Sequence, residues 1–161
     1  MDTAVTTTTK QYSIPAYRIS LVRDSKVATP ARAIRSSSDA ASVLRSYLGD
    51  TDREHFVAIL LDTKNKIIGI HTVSTGSLSA SVVHPRETFK AAILSNAAAM
   101  VVGHNHPSGD PQPSREDRAL TERLVAGGKL LGIPILDHVI IGDGTMHSFS
   151  FADEGLINAT A

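Results

Sequence analysis

Two histidines, His104 and His106, stand one residue apart behind the apolar run Ala97-Ala98-Ala99-Met100-Val101-Val102-Gly103. Such a run reads as a buried strand, and on a strand residues i and i+2 share a face. Both imidazoles would then point the same way and could reach one zinc ion, which accepts imidazole nitrogen at about 2.0–2.1 Å. The segment Pro107-Ser108-Gly109-Asp110-Pro111-Gln112-Pro113 that follows must be a loop. Ser114, ahead of Arg115-Glu116-Asp117-Arg118-Ala119-Leu120, marks a helix start. Asp117 would sit one turn in, able to turn its carboxylate back over the loop as a third ligand. Three protein ligands with an open fourth position describe catalytic rather than structural zinc. Ser114 and Asp117 also form a capping pair, a serine at the N-cap and an acid three residues on, and taken alone that is the commoner meaning.

The spacing as a whole is His-x-His-Pro, a gap between the second histidine and a serine, two residues, then aspartate. It resembles the motif of the JAB/MPN (JAMM) metalloprotease family, which adds a glutamate far upstream. The run His-Asn-His-Pro-Ser-Gly-Asp-Pro and the later pair Asp137-His138 look closest to the RadC-like branch, and the likeness extends from about Arg53 to Gly155. The resemblance implies zinc held by His104, His106 and Asp117, and cleavage of a peptide or isopeptide bond in a protein or peptide substrate. It also implies an α/β layered fold similar to that of the cytidine deaminases. In the resembled family the general-base glutamate follows a helix and opens a strand, which assigns the role to Glu54. An acid at a strand start is otherwise an ordinary solvated end residue. Glu87, in the first turn of the next helix, is a rival whose simpler role is interaction with the helix dipole. Ser114 is the expected donor to the oxyanion, since a capping oxygen accepts and its proton remains available.

Composition narrows the alternatives. The 161 residues suit a single domain with a proper core. No apolar run approaches the roughly 20 residues of a membrane span. The first residues lack the basic start and apolar core of a signal peptide, so the cytoplasm is the expected location. The absence of cysteine removes disulfides, thiolate nucleophiles and the Cys-ligated zinc of nucleobase deaminases. Sixteen basic residues balance sixteen acidic ones, and aromatics make up 4%. That leaves neither an electrostatic footprint for phosphate backbones nor many stacking platforms. A DNA-repair role, suggested by the RadC-like branch, would need a partner, because no complete helix-hairpin-helix module fits before Arg53. A catalytically silent protein-binding module is the other alternative, although such domains have typically lost their ligands.

The elements that must position these residues alternate between helix and strand. Residues 1–15 read as a Thr-rich flexible tail. Residues 16–37 hold a strand, with Tyr17, Ile19 and Leu21 on one side, and a connection; the strand is expected at a sheet edge or paired with a second copy in a homodimer. The resemblance assigns residues 38–158 to a JAB/MPN domain. Its first helix starts at a Ser38 N-cap and stops at Gly49. Strands over Phe56–Leu61 and Ile67–Val73 make a hairpin, the segment from Gly76 to Val83 is a loop, and a helix begins at Pro85. His84 either borders the cleft or simply precedes that helix. After Ser114 a helix runs until Ala126-Gly127-Gly128 stops it. Strands follow over Ile133–Ile141 and Met146–Phe151, joined by the turn Gly142-Asp143-Gly144. Asp137-His138 could orient a zinc ligand from behind or be a paired polar group in the core. His55, His71 and His147 lack a partner pattern and should face solvent. The fold class is α/β, a mixed sheet flanked by helices.

Overall fold

Helix and strand alternate through α1 (Ser37–Leu48), β1 (His55–Leu61), β2 (Ile67–Thr75), α2 (Pro85–Leu94), β3 (Ala99–His106), α3 (Arg115–Leu131), β4 (Ile135–Gly142) and β5 (Ser148–Ser150). This is a computed structural model, and it describes residues 11–49, 51–76 and 83–158. The five strands form one sheet in the order β2-β1-β3-β4-β5. All neighbours are antiparallel except β3 and β4, which run parallel and are joined through α3. A parallel pair needs such a crossover, whereas β1 and β2 need only a turn. That turn is tied by Asp62 Oδ1, which accepts the backbone N–H groups of Lys64 and Lys66.

The central strands carry apolar residues on both sides because both faces of the sheet are covered. On one face Phe56, Ala58, Leu60, Met100, Val102 and Ile140 meet Phe89 and Ala92 of α2 and Leu120 and Leu124 of α3. On the other, Val57, Ile59, Leu61, Val101, Val139 and Ile141 meet Ala40, Val43 and Leu44 of α1. Each fully buried side chain of this size stabilises the fold by about 1.5–3 kcal/mol. Gly103 of β3 lies where the layers are tightest. A Cβ there would stand 2.7 Å from the Val139 carbonyl and drive into Leu44, so glycine sets the spacing beside the first histidine.

Several boundaries differ from expectation. The N-cap of α1 is Ser36, not Ser38. Its hydroxyl accepts from Asp39 N–H and the Asp39 carboxylate returns to Ser36 N–H, a reciprocal pair that Ser38 has no acid to complete. Core packing reaches back to Ile34, which is buried against the α1 face, and Ala33 bridges Lys66. The glycines at 127 and 128 do not end α3; they let it approach Phe89 and the Ile133 carbonyl, and the true cap is Gly132 at φ 70°. Ala16 to Val22, expected as a strand, takes no place in the sheet and lies exposed. Alternation alone supplies an apolar side but no ladder partner, and a strand needs both. Most of the loop expected from Gly76 to Val83 falls outside the described residues. No helix among the described residues is long and apolar enough to cross a membrane.

Candidate metal centre

Strand β3 ends with His104, Asn105 and His106, and alternation sends the two imidazoles towards α3 while Asn105 points to the α1 side. The loop after His106 folds back on itself: Gly109 and Asp143 both donate their N–H to the His106 carbonyl. Its far end is Ser114, which caps α3. Ser114 Oγ accepts from Asp117 N–H at 3.0 Å, and Asp117 Oδ2 takes the Ser114 N–H at 2.7 Å. That capping box fixes the Asp117 side chain at the helix entrance, facing the two rings.

The three expected ligands therefore converge. His104 Nε2 lies 3.0 Å from His106 Nε2 and 3.3 Å from Asp117 Oδ1, and His106 Nε2 lies 3.6 Å from Asp117 Oδ2. Among the described residues this is the group of histidines and acids whose ligand atoms gather closely enough for one ion, all within 4.8 Å. Two imidazoles and a carboxylate are a donor set that zinc accepts. His104 is fully buried and Asp117 nearly so. His106 is turned outward by its Nδ1, which lies 2.7 Å from the Asp110 carbonyl. A carbonyl only accepts, so that nitrogen carries a proton and Nε2 is the one left to bind.

Electrostatics keep two of the three, His104 and Asp117, in ligand form. Burial pushes the His104 imidazole below its ordinary value, against an opposing pull from Asp117. His106 is raised, chiefly by its hydrogen bond to Asp117. Burial alone would push the Asp117 carboxyl up, but His104 and His106 outweigh it and hold it well below the usual carboxylate range. The acid is ionised and the inner ring neutral, which are the forms a divalent cation requires.

Glu54 is half-buried at the mouth of β1, and its carboxylate raises the proton affinity of both His104 and His106, so its charge is felt at the cluster. Its backbone is clamped. Asn105 Oδ1 accepts the His55 N–H at 2.8 Å, while the two hydrogens of Nδ2 are shared among the Arg53 carbonyl at 3.0 Å, Thr51 Oγ1 and Asp143 Oδ2. The strand position between the two histidines thus grips the chain on both sides of Glu54. Glu87, by contrast, is paired with Lys90 at 2.6 Å and Arg86 at 3.3 Å on the surface of α2. His84 is an exposed N-cap whose Nδ1 accepts from Arg86 N–H. Ser114 donates its hydroxyl proton to Asp117 Oδ2 at 2.7 Å, so the proton expected to stay available for an oxyanion is committed in this structure, because the carboxylate that completes the cap also faces the hydroxyl.

The pair Asp137-His138 is split by the pleat. Asp137 turns to the end of β5, bonding the Ser150 hydroxyl at 2.6 Å and Ala152 N–H at 2.9 Å; burial raises its carboxyl in spite of these bonds. His138 turns the other way, fully buried, with Phe151 stacked on it at 4.9 Å and its Nε2 2.8 Å from His104 Nδ1. Burial pushes its imidazole well below the ordinary value. Its Nδ1 meets Thr121 Oγ1 at 2.6 Å. Neither Thr121 nor Asn105 belongs to the ligand motif of the sequence. The spacing of Thr121, four residues after Asp117 on one helix face, was the available signal. His71 and His147 are exposed, and His55 is half-buried beside Thr75.

Comparison with known proteins places this geometry in a lineage. The family description "RadC-like JAB domain" matches residues 34–156. Similar relatives include UPF0758 proteins of Methanococcoides burtonii, 54% identical over 80% of this chain and 56% of that protein, and of Desulforamulus reducens, 52% identical over 77% and 54%. A third, from Rubrobacter xylanophilus, is 48% identical over 88% of this chain and 60% of its own length. The chain spans somewhat more than half the length of these curated relatives. With the matched region covering every candidate ligand as well as Glu54 and Ser114, the chain belongs to the RadC-like JAB domain family.

Proposed function

We propose that the protein is a zinc-dependent hydrolase of peptide or isopeptide bonds, with His104, His106 and Asp117 holding the metal and Glu54 as general base. The observation that carries this reading is the meeting of His104 Nε2, His106 Nε2 and both Asp117 oxygens in one largely buried cluster. A zinc ion held there supplies Lewis acidity, drawing the pKa of a water molecule towards about 7. Glu54 takes the proton of the attacking water and hands it to the leaving amine, first base and then acid. Ser114 turns its hydroxyl from Asp117 to the oxyanion, a contact worth about 3–4 kcal/mol when one donor of this kind is lost. Asn105 keeps Glu54 in place by holding the backbone on either side of it.

The test has two stages. Elemental analysis of chain purified without chelator should find about one zinc per subunit, and a His104→Ala, His106→Ala double variant that keeps its zinc would sink the ligand assignment. The zinc-loaded chain is then offered peptide and isopeptide substrates alongside DNA. Amide cleavage abolished by Glu54→Gln supports the reading. Cleavage of DNA, or no turnover with zinc bound, transfers it to the DNA-associated or the silent binding-module alternative.

A further inference from the structure

A continuous run of buried hydrogen bonds lies behind the candidate ligands, and its direction can be deduced from its ends. The Asp117 backbone carbonyl can only accept, so the Thr121 hydroxyl, 2.6 Å away, spends its proton there. Thr121 Oγ1 must therefore accept from its other neighbour, the Nδ1 of His138 at 2.6 Å, which carries a proton. His138 is fully buried between Phe56 and Phe151, whose ring centroids lie 5.5 and 4.9 Å from its own. A second proton would make it a cation walled by apolar rings, a costly state. Its Nε2 is consequently bare and accepts from His104 Nδ1 at 2.8 Å. His104 then has its proton on Nδ1 and its lone pair on Nε2, the nitrogen that faces His106 and Asp117. The chain begins on the backbone of one candidate ligand and ends by fixing the tautomer of another.

We propose that His138 and Thr121 are positioning residues that lock His104 in the Nδ1–H tautomer and so aim its Nε2 lone pair at a divalent cation. The inference rests on the reading of His104, His106 and Asp117 as ligands. Outer partners of this kind commonly govern metal affinity by roughly 10–100-fold. Here the partner is a neutral histidine braced by a hydroxyl, and the brace is anchored to the helix that carries Asp117.

The experiment joins two readouts on the full chain. Zinc affinity is measured by competition with a chromophoric chelator for the unaltered protein, Thr121→Val and Thr121→Ser. Long-range proton–nitrogen NMR of histidine-labelled, metal-free protein reports the tautomers. The unaltered chain should show His138 and His104 as Nδ1–H. Thr121→Val keeps the shape but removes the acceptor; it should lose about 10–100-fold in zinc affinity and shift the His138 proton to Nε2. Thr121→Ser should restore both. A residue that merely packs would lower thermal stability and leave the tautomers alone. Equal zinc affinity in Thr121→Val and the unaltered protein overturns the proposal, as does an Nε2–H tautomer at His138 in the unaltered chain. The NMR measurement needs no variant and decides the matter even where Thr121→Val fails to fold. Failure of the unaltered chain to bind zinc, with the tautomers as stated, removes the function proposed above and the metal half of this inference, leaving the lock itself standing.

Discussion

Helices α1 and α3 both begin with Ser-x-x-Asp. At α1, Ser36 Oγ accepts from Asp39 N–H at 3.2 Å and Asp39 Oδ2 takes the N–H groups of Arg35 and Ser36 at 2.8 and 3.1 Å. At α3 the same reciprocal bonds join Ser114 and Asp117 at 3.0 and 2.7 Å. The local chemistry is the same to within a few tenths of an ångström. What differs is the view from each helix entrance. Asp39 takes backbone N–H groups, whereas Asp117 is buried against His104 and His106 at 3.3 and 3.6 Å. A capping box therefore says where a helix starts, and the strand it faces decides whether the acid has anything further to do. α3 follows β3 directly in a parallel crossover, which delivers its entrance to the end of the strand that carries both histidines.

The widest separation between the two boxes should come from removing each acid. Asp39→Ala and Asp117→Ala should each cost about 0.5–2 kcal/mol of stability, the scale of a lost cap. Only Asp117→Ala should weaken zinc, by more than the roughly 10–100-fold that loss of an outer partner brings. Calorimetric titration of both variants with zinc checks this, and equal affinities would erase the distinction. The same comparison applies to two glutamates at element starts. Glu54→Gln should leave zinc content intact while lowering turnover of any cleaved substrate by about 10²–10⁴-fold. Glu87→Gln, losing only surface pairs with Arg86 and Lys90, should leave zinc content, turnover and melting temperature close to those of the unaltered chain.

Acid provides a third contrast, because only the α3 box is packed on histidines. His104 and His138 are held below their ordinary value, so the folded chain refuses protons that the unfolded chain accepts. Their contribution is whole above about pH 6.5 and is lost as the pH falls below it. His106, raised by Asp117, has the opposite sign: its contribution is whole below about pH 6.5 and fades as the pH rises through its folded value. Below pH 6.5 it is protonated in both states and adds no slope. Asp137, raised by burial, takes its proton first in the folded chain and offsets part of the loss nearer the carboxylate range. Urea melts of metal-free protein between pH 7.5 and 5.5 should show stability falling below pH 6.5. The slope should reach up to ~1.4 kcal/mol per pH unit for each buried histidine. A flat profile would contradict the neutral, buried state of His104 and His138.

The smallest effect comes from the serines. Ser36→Ala and Ser114→Ala both remove a cap, but Ser114 also donates its hydroxyl to Asp117 Oδ2 at 2.7 Å. Its variant should be the less stable by about 0.5–1.5 kcal/mol more, the net value of one hydrogen bond, in paired thermal melts.

How much of this could be read in the sequence follows from which interactions are local. His104, His106, Ser114 and Asp117 were legible because strand period, loop and capping box all lie within one short stretch. The mixed sheet was legible because turn residues and apolar runs alternate in order. Asp137-His138 stayed ambiguous because its two side chains part across the pleat, and only the neighbours on each face tell which one serves the site. Asn105 was hidden in plain view, since its partners Thr51, Arg53 and His55 lie across the sheet on β1 and the turn before it. The Gly127-Gly128 pair misled because the close approach of α3 to Phe89 and Ile133 is a tertiary fact that mimics a stop signal. Ala16 to Val22 lies outside the sheet of this chain because a strand pattern specifies a face and leaves its partner open, whether in the same chain or in a second copy.

The compactness of the ligand stretch has a consequence for how metal and fold are coupled. Closing a chain segment as short as His104 to Asp117 costs little entropy, so, on the metal-binding reading, an unfolded chain would retain part of the same chelating ability. Metal then stabilises the native state only by the difference between the two affinities. His138 stands on another strand, and its grip on His104 exists only once β4 lies beside β3. On the metal-binding reading proposed above, the nearby ligands would give some affinity to any state of the chain, and the distant histidine would add to it only in the folded one.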